Sequence, residues 1–247
     1  MPFGYLPHRN RWKDTLSRTI GHPLLIRRLQ APVVMRMLRP APSQWILDSG
    51  CGGGHSTFEI ARHSRCIGLD LRITGNAAYA MHRLFTLFFL RADVQATPFR
   101  KGTFDKILLS SVLQMVVDDG SLLAECHRIL RTGGELVLSV PEAYRYVRTL
   151  NALKEDLNQQ FGAAKGYYGR AELLRLLEAR HFEVLEVEYA PKRLGSFFYE
   201  LQLRLQIARI PVPGILWFCL FYPLAFMDRF DRREAKGCEL LVRARAV

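Results

Sequence analysis

The sequence predicts an α/β fold, built as a doubly wound, mostly parallel sheet of seven strands with an antiparallel last strand. A helical N-terminal extension and a late helical insertion flank it. Three observations carry this expectation. Apolar runs alternate with segments of helical period between residues 44 and 141. A glycine-rich turn, with Gly50, Gly52 and Gly54 at alternate positions, follows the first run. Asp48, Asp70, Asp93 and Ser110 fall in phase at or just past the ends of four successive runs, where a parallel sheet opens towards its ligand.

The first strand is the apolar run ending in Asp48, and residues 55–61, His-Ser-Thr-Phe-Glu-Ile-Ala, read as the helix after the turn. Glycine accepts positive φ and lets a ligand approach bare backbone. The helix start adds free N–H donors and partial positive charge. A dinucleotide turn would place its third glycine at position 55, which is His55, and no Gly-Lys-Ser/Thr of a P-loop is present. The second strand, 65–70, ends in Asp70, placed to accept hydrogen bonds from ribose hydroxyls. Leu87–Ala92 is the third strand, leading into Asp93-Val94, and 104–113 holds the fourth strand and its exit turn, with Ser110-Ser111. Leu122–Leu130 has apolar residues at helical spacing and is stopped by Gly133-Gly134. Glu135–Val140 is the fifth strand, closed by Pro141. His181–Ala190, which alternates apolar and acidic residues, and Cys238–Ala246 complete the sheet.

The pattern Asp-x-Gly-Cys-Gly-x-Gly at Asp48–Gly54 resembles motif I of class I S-adenosylmethionine (SAM) methyltransferases. Over residues 44–141 the chain is similar to the small-molecule group that includes the ubiquinone and menaquinone C-methyltransferases. The resemblance implies a Rossmann-like core with SAM as cofactor. It implies that Asp48, Gly50, Gly52 and Gly54 pass the methionine part, that Asp70 and Leu71 hold the ribose, and that Asp93 and Val94 face the adenine. Ser110, with Ser111, would border the carboxylate end or the transfer site. The last two strands would form an antiparallel edge pair, and Tyr5, His8 and Tyr167-Tyr168 would line a lid. Where the family often has His, this chain has Gln114, which orients but does not take a proton. The Asp/Asn/Ser-Pro-Pro-Tyr motif of exocyclic-amine methyltransferases and a Pro-Cys nucleophile pair are both absent.

An acceptor alcohol, phenol or activated carbon gains from a base. The catalytic candidates near the expected mouth are His55, Gln114, Glu142 and Tyr144. At a helix start the dipole disfavours a protonated His55. Packing or helix-start duties explain each of these residues singly better than catalysis does, so the base is left open.

At 247 residues the chain suits a single methyltransferase domain. Its parts are an N-terminal helical lid (1–43), a SAM-binding core (44–141), a cap with the sixth strand (142–190), a hydrophobic basic insertion (191–237) and the last strand (238–247). Five cysteines without Cys-x-x-Cys or Cys/His ligand spacing argue against a metal and fit a reducing cytoplasm. Residues 1–10 lack the apolar stretch of a secretory signal.

The net charge of +12 is uneven: residues 1–40 hold eight basic and one acidic residue, 41–191 hold seventeen of each, and 192–233 hold seven and three. Both basic segments are also apolar. Pro32 is expected to kink or split a helix over 24–38. Residues 215–227 carry no charge but fall short of the ~20 residues of a spanning helix. An interfacial contact and a buried lid fit them equally; the function expected first is methyl transfer to a hydrophobic or lipid-linked small molecule at the cytoplasmic face of a membrane, and the alternative is a soluble secondary-metabolite methyltransferase with 215–227 as a buried lid. An RNA-binding, methyltransferase-like protein is a third reading. It is less favoured, because the basic residues lie among Leu, Ile, Val and Met rather than exposed aromatics.

Overall fold

The computed structural model describes residues 25–73, 86–142, 164–165, 167–207, 223, 227–231 and 236–247. Its elements, in chain order, are α1 (Leu25–Leu38), β1 (Trp45–Ser49), α2 (His55–Ala61), β2 (Arg65–Asp70), β3 (Leu87–Arg91), β4 (Phe104–Ser110), α3 (Asp119–Ile129), β5 (Leu130–Pro141), α4 (Arg170–Glu178), β6 (Phe182–Tyr189), α5 (Arg193–Ile207) and β7 (Glu239–Ala246). Short 3₁₀ turns lie at Leu113–Met115 and Met227–Phe230.

The seven strands form one sheet in the order β3-β2-β1-β4-β5-β7-β6. Strands β1 to β5 pair in parallel, and β7 runs antiparallel between β5 and β6. The order reverses between β1 and β4, so the switch point of the sheet lies at the carboxyl ends of those two strands, beside the glycine turn. The alternation of side chains separates two cores. On one face Leu47, Ile107, Leu109, Leu138 and Val242 pack under Leu122, Leu123 and Ile129 of α3 and Leu173 and Leu177 of α4. On the other, Ile46, Cys66, Leu108, Val137 and Leu241 pack under Val34, Met37 and Leu38 of α1 and Ile60 of α2.

Helix α1 runs through Pro32, contrary to the expected break. Pro32 lies on the exposed side of the helix, away from the sheet. Beyond it, the stripe Val34, Met37, Leu38 holds the second half to the sheet. Gly133-Gly134 lie inside β5 rather than in a stop before it: Gly133 takes φ 73°, and the register of β4 against β5 shifts between Phe104 and Lys106. Tyr168 is fully buried in the core and donates to the carbonyl of Leu113 at 3.3 Å and to Asp119 at 3.0 Å, so it does not line a lid. The expectations for Tyr5, His8, Tyr144 and most of 215–227 lie outside the described residues. Among the described residues no helix is long and apolar enough to cross a membrane.

Candidate active site

The glycine turn is built by backbone that only glycine adopts easily. Gly50, Gly52 and Gly54 have φ of 79°, 52° and 78°. The N–H groups of Gly50 and Cys51 both donate to the carbonyl of Leu69, at 2.7 and 3.0 Å, which ties the turn to the end of β2. A β-carbon at Gly50 would lie 2.3 Å from a methyl of Val112, whereas one at Gly52 would meet nothing within 4 Å. The turn is therefore closed on its sheet side and open at Gly52.

Asp70, at the end of β2, faces that opening. One carboxylate oxygen accepts from the N–H of Gly52 at 2.8 Å and the other from the N–H of Arg72 at 2.9 Å. Each oxygen keeps a lone pair for a further donor. Leu71 beside it is 57% exposed. Asp93 accepts from the N–H of Gln95 at 2.9 Å, which shapes the turn after β3, and Val94 packs into the core below. Asp48 is buried and accepts from the Thr57 hydroxyl of α2 at 2.6 Å. Burial pushes its carboxyl up to about 6, against the Thr57 hydrogen bond and Arg27, which act the other way. Asp48 thus anchors the turn from beneath.

Arg27 of α1, which sequence reasoning passed over, enters this group. Its Nη1 donates to the Ser110 hydroxyl at 2.7 Å and to Oε1 of Gln30 at 3.3 Å. The imidazole of His55 is lowered in basicity, first by burial and then by the Arg27 charge. That agrees with a neutral ring but adds causes the helix start alone did not supply. Ser111 takes φ 55°, rare for a residue other than glycine, and its N–H donates to the carbonyl of Ser139 at 3.0 Å and to its hydroxyl at 3.1 Å. Gln114 is buried, with Oε1 lacking a hydrogen-bond partner. Glu142 accepts from the N–H of Arg170 at 3.3 Å and helps push the Tyr189 phenol up to about 12, after burial. It serves the start of α4. Of the four catalytic candidates, His55 and Gln114 adjoin the turn and the exit of β4, and Tyr144 is outside the described residues.

The residues around the turn suit a nucleoside bearing a short amino-acid tail. They offer an open backbone cradle at Gly52, a carboxylate at the end of β2 and a second carboxylate after β3. Residues 47–138 match a family model described as "Methyltransferase domain". The chain is related to the class I SAM-dependent methyltransferases. Curated relatives include trans-aconitate 2-methyltransferase of Deinococcus radiodurans, 30% identical over 49% of this chain and 48% of that protein. Demethylmenaquinone methyltransferase of Mycolicibacterium gilvum is 33% identical over 41% of this chain and 43% of that one. The alignments span about half or less of the curated relatives' own lengths. Among solved structures, geranyl diphosphate C-methyltransferase from Streptomyces coelicolor, in complex with S-adenosyl-L-homocysteine (SAH), superposes with TM-score 0.64 at 20% identity. The match covers 98% of this chain and 86% of that one. A [4+2]-cyclase shares the fold with TM-score 0.61 at 19% identity, over 96% and 84% of the two chains, so the fold by itself does not fix the reaction.

Proposed function

We propose that this chain transfers the methyl group of SAM to a small hydrophobic acceptor. The observation that carries the reading is the meeting of the Asp70 carboxylate with the Gly52 N–H at the open side of the turn. Asp70 ends β2, where the resemblance to class I methyltransferases leads one to expect the ribose. In the proposed complex Asp70 and Leu71 receive the ribose, and Asp93 and Val94 border the adenine. The backbone at Gly50, Gly52 and Gly54, anchored by Asp48, passes the methionine part, and Ser110 lies towards its far end. SAM supplies an already activated methyl group. The protein's share is alignment of acceptor, carbon and sulfur, which contributes several kcal/mol when the approach is near-linear. His55, kept neutral by burial and by Arg27, is the group offered as a base, and Gln114, with an unpaired carbonyl oxygen, orients the acceptor.

Calorimetry with SAH tests the cofactor assignment. The wild-type chain is expected to bind, and Asp70→Ala to bind at least tenfold more weakly, since two ribose hydrogen bonds to a charged group are lost. Equal affinity in both proteins removes the ribose assignment.

A soluble acceptor is the simpler setting. Two proteins of this fold carry small-molecule substrates in their names, geranyl diphosphate C-methyltransferase and 1,6-didemethyltoxoflavin-N1-methyltransferase. A second reading, in which the acceptor comes from a membrane surface, is favoured by one feature. Leu194 and Phe197 of α5 and Met227 and Phe230 of the following 3₁₀ turn are exposed, Phe230 to 73%, in a segment rich in arginine. Co-sedimentation with phosphatidylserine-containing vesicles at low salt supports that reading, and protein left wholly in the supernatant removes it.

A further inference from the structure

Helix α1 turns the stripe Ile26, Gln30, Val34, Met37 and Leu38 inwards. Every member but Gln30 is apolar. Gln30 is 2% exposed, and its Nε2 has no hydrogen-bond partner. One turn away, the half-buried Arg27 guanidinium meets only neutral acceptors, the Ser110 hydroxyl and Oε1 of Gln30, and among the described residues no ion pair holds it. One oxygen of the nearby Asp48 carboxylate accepts from the Thr57 hydroxyl, and Asp48 acts on Arg27 through its charge but makes no hydrogen bond or ion pair with it. Buried amide donors are nearly always paired, and a buried cation needs an anion or a dense set of acceptors. A buried amide donor without a partner beside a guanidinium without an anion, on one helix at the exit of β4, is the arrangement of a site that lacks its ligand.

We propose that Arg27 and Gln30 form a carboxylate clamp, in which the guanidinium and the Gln30 Nε2 donate to the two oxygens of one carboxylate and the bond to Ser110 is kept or exchanged. The charge balance selects the class. One guanidinium, partly opposed by Asp48, matches a singly charged anion better than a phosphate or diphosphate. The carboxylate has two possible sources, the amino-acid tail of the cofactor or the acceptor itself. The first source rests on the SAM reading above, and the second does not.

Three probes separate the cases: SAH, 5′-methylthioadenosine, which lacks the carboxylate-bearing tail, and malonate. They are titrated into the wild type, Arg27→Met and Gln30→Leu. Gln30→Leu completes the apolar stripe and is expected to fold, and Arg27→Lys, which keeps the charge, is expected to retain part of the binding. If the clamp takes the cofactor tail, both variants lose SAH affinity tenfold or more and hold methylthioadenosine as the wild type does. If it takes an acceptor, SAH is unaffected, but malonate bound by the SAH-loaded wild type is lost in both variants. Variants that bind all three probes as the wild type does overturn the clamp, as does a wild type that binds both nucleosides alike and no malonate. A wild type that binds neither nucleoside overturns the SAM reading instead. Malonate alone then judges the clamp: binding lost in both variants upholds it, and binding absent or unchanged overturns it.

Discussion

Gly50 and Gly52 share a positive φ but differ in what surrounds them. At Gly50 a side chain meets Val112 at 2.3 Å, so Gly50→Ala adds a clash to backbone strain and is expected to cost roughly 3 kcal/mol. At Gly52 the space is open, and Gly52→Ala is expected to cost about 1 kcal/mol in stability while obstructing the cradle. Urea unfolding paired with SAH titration checks both. Gly50→Ala should shift the midpoint more, and Gly52→Ala should lose more affinity than stability. Asp48 gives a pH signature. Its carboxyl is raised from 3.8 to about 6, chiefly by burial. Between those values the folded chain holds a proton that the unfolded chain has released. Stability therefore falls as pH rises through this window and is flat above it. Asp48→Asn should remove a change of roughly 3 kcal/mol between pH 4 and 7, read from denaturation midpoints across that range. An unchanged slope would mean another group carries it.

Helix α1 shows why elements need more than their own sequence. Its propensity is poor at Pro32, yet contacts from distant strands fix it. Lys106 of β4 donates from Nζ to the carbonyls of Leu38 and Arg39 at 2.6 and 2.9 Å, closing the helix's carboxyl end. Arg36 bonds Glu186 at 2.5 Å and also Glu188, both on β6. Ser110, four residues beyond Lys106 on the same strand, receives Arg27 near the other end. One strand thus grips the helix at two points and sets where the proposed clamp lies. Lys106→Met leaves the buried carbonyl of Leu38 and the partly buried carbonyl of Arg39 without this donor, with an expected loss of about 2 kcal/mol in chemical denaturation. It should also weaken any ligand held by Arg27 while leaving methylthioadenosine binding intact. The alternating parallel core was legible because each strand and helix there carries its own period and its own turn chemistry. The course of α1 was not, since its partners lie 67 to 152 residues away.

For the molecule as a whole, charge is distributed by segment: the core from 41 to 191 is neutral, and the excess lies before and after it. Vesicle binding through those segments would weaken steeply as salt rises from low to physiological strength, because each exposed charge acts only over about 8–10 Å. Binding to vesicles that persisted at high salt would point to the apolar residues of α5 instead. The sequence by itself determined the strand order's raw material, the glycine turn and the acids at the strand ends, because those signals are local and repeat with the chain's own geometry. Tertiary structure alone decided that β7 slots between β5 and β6. It also decided that Tyr168 is core and that Glu142 serves α4. Above all, it brought Arg27 and Gln30 over the exit of β4. Burial and partnering of a polar side chain depend on what folds against it, and one residue's neighbours in sequence do not contain that information.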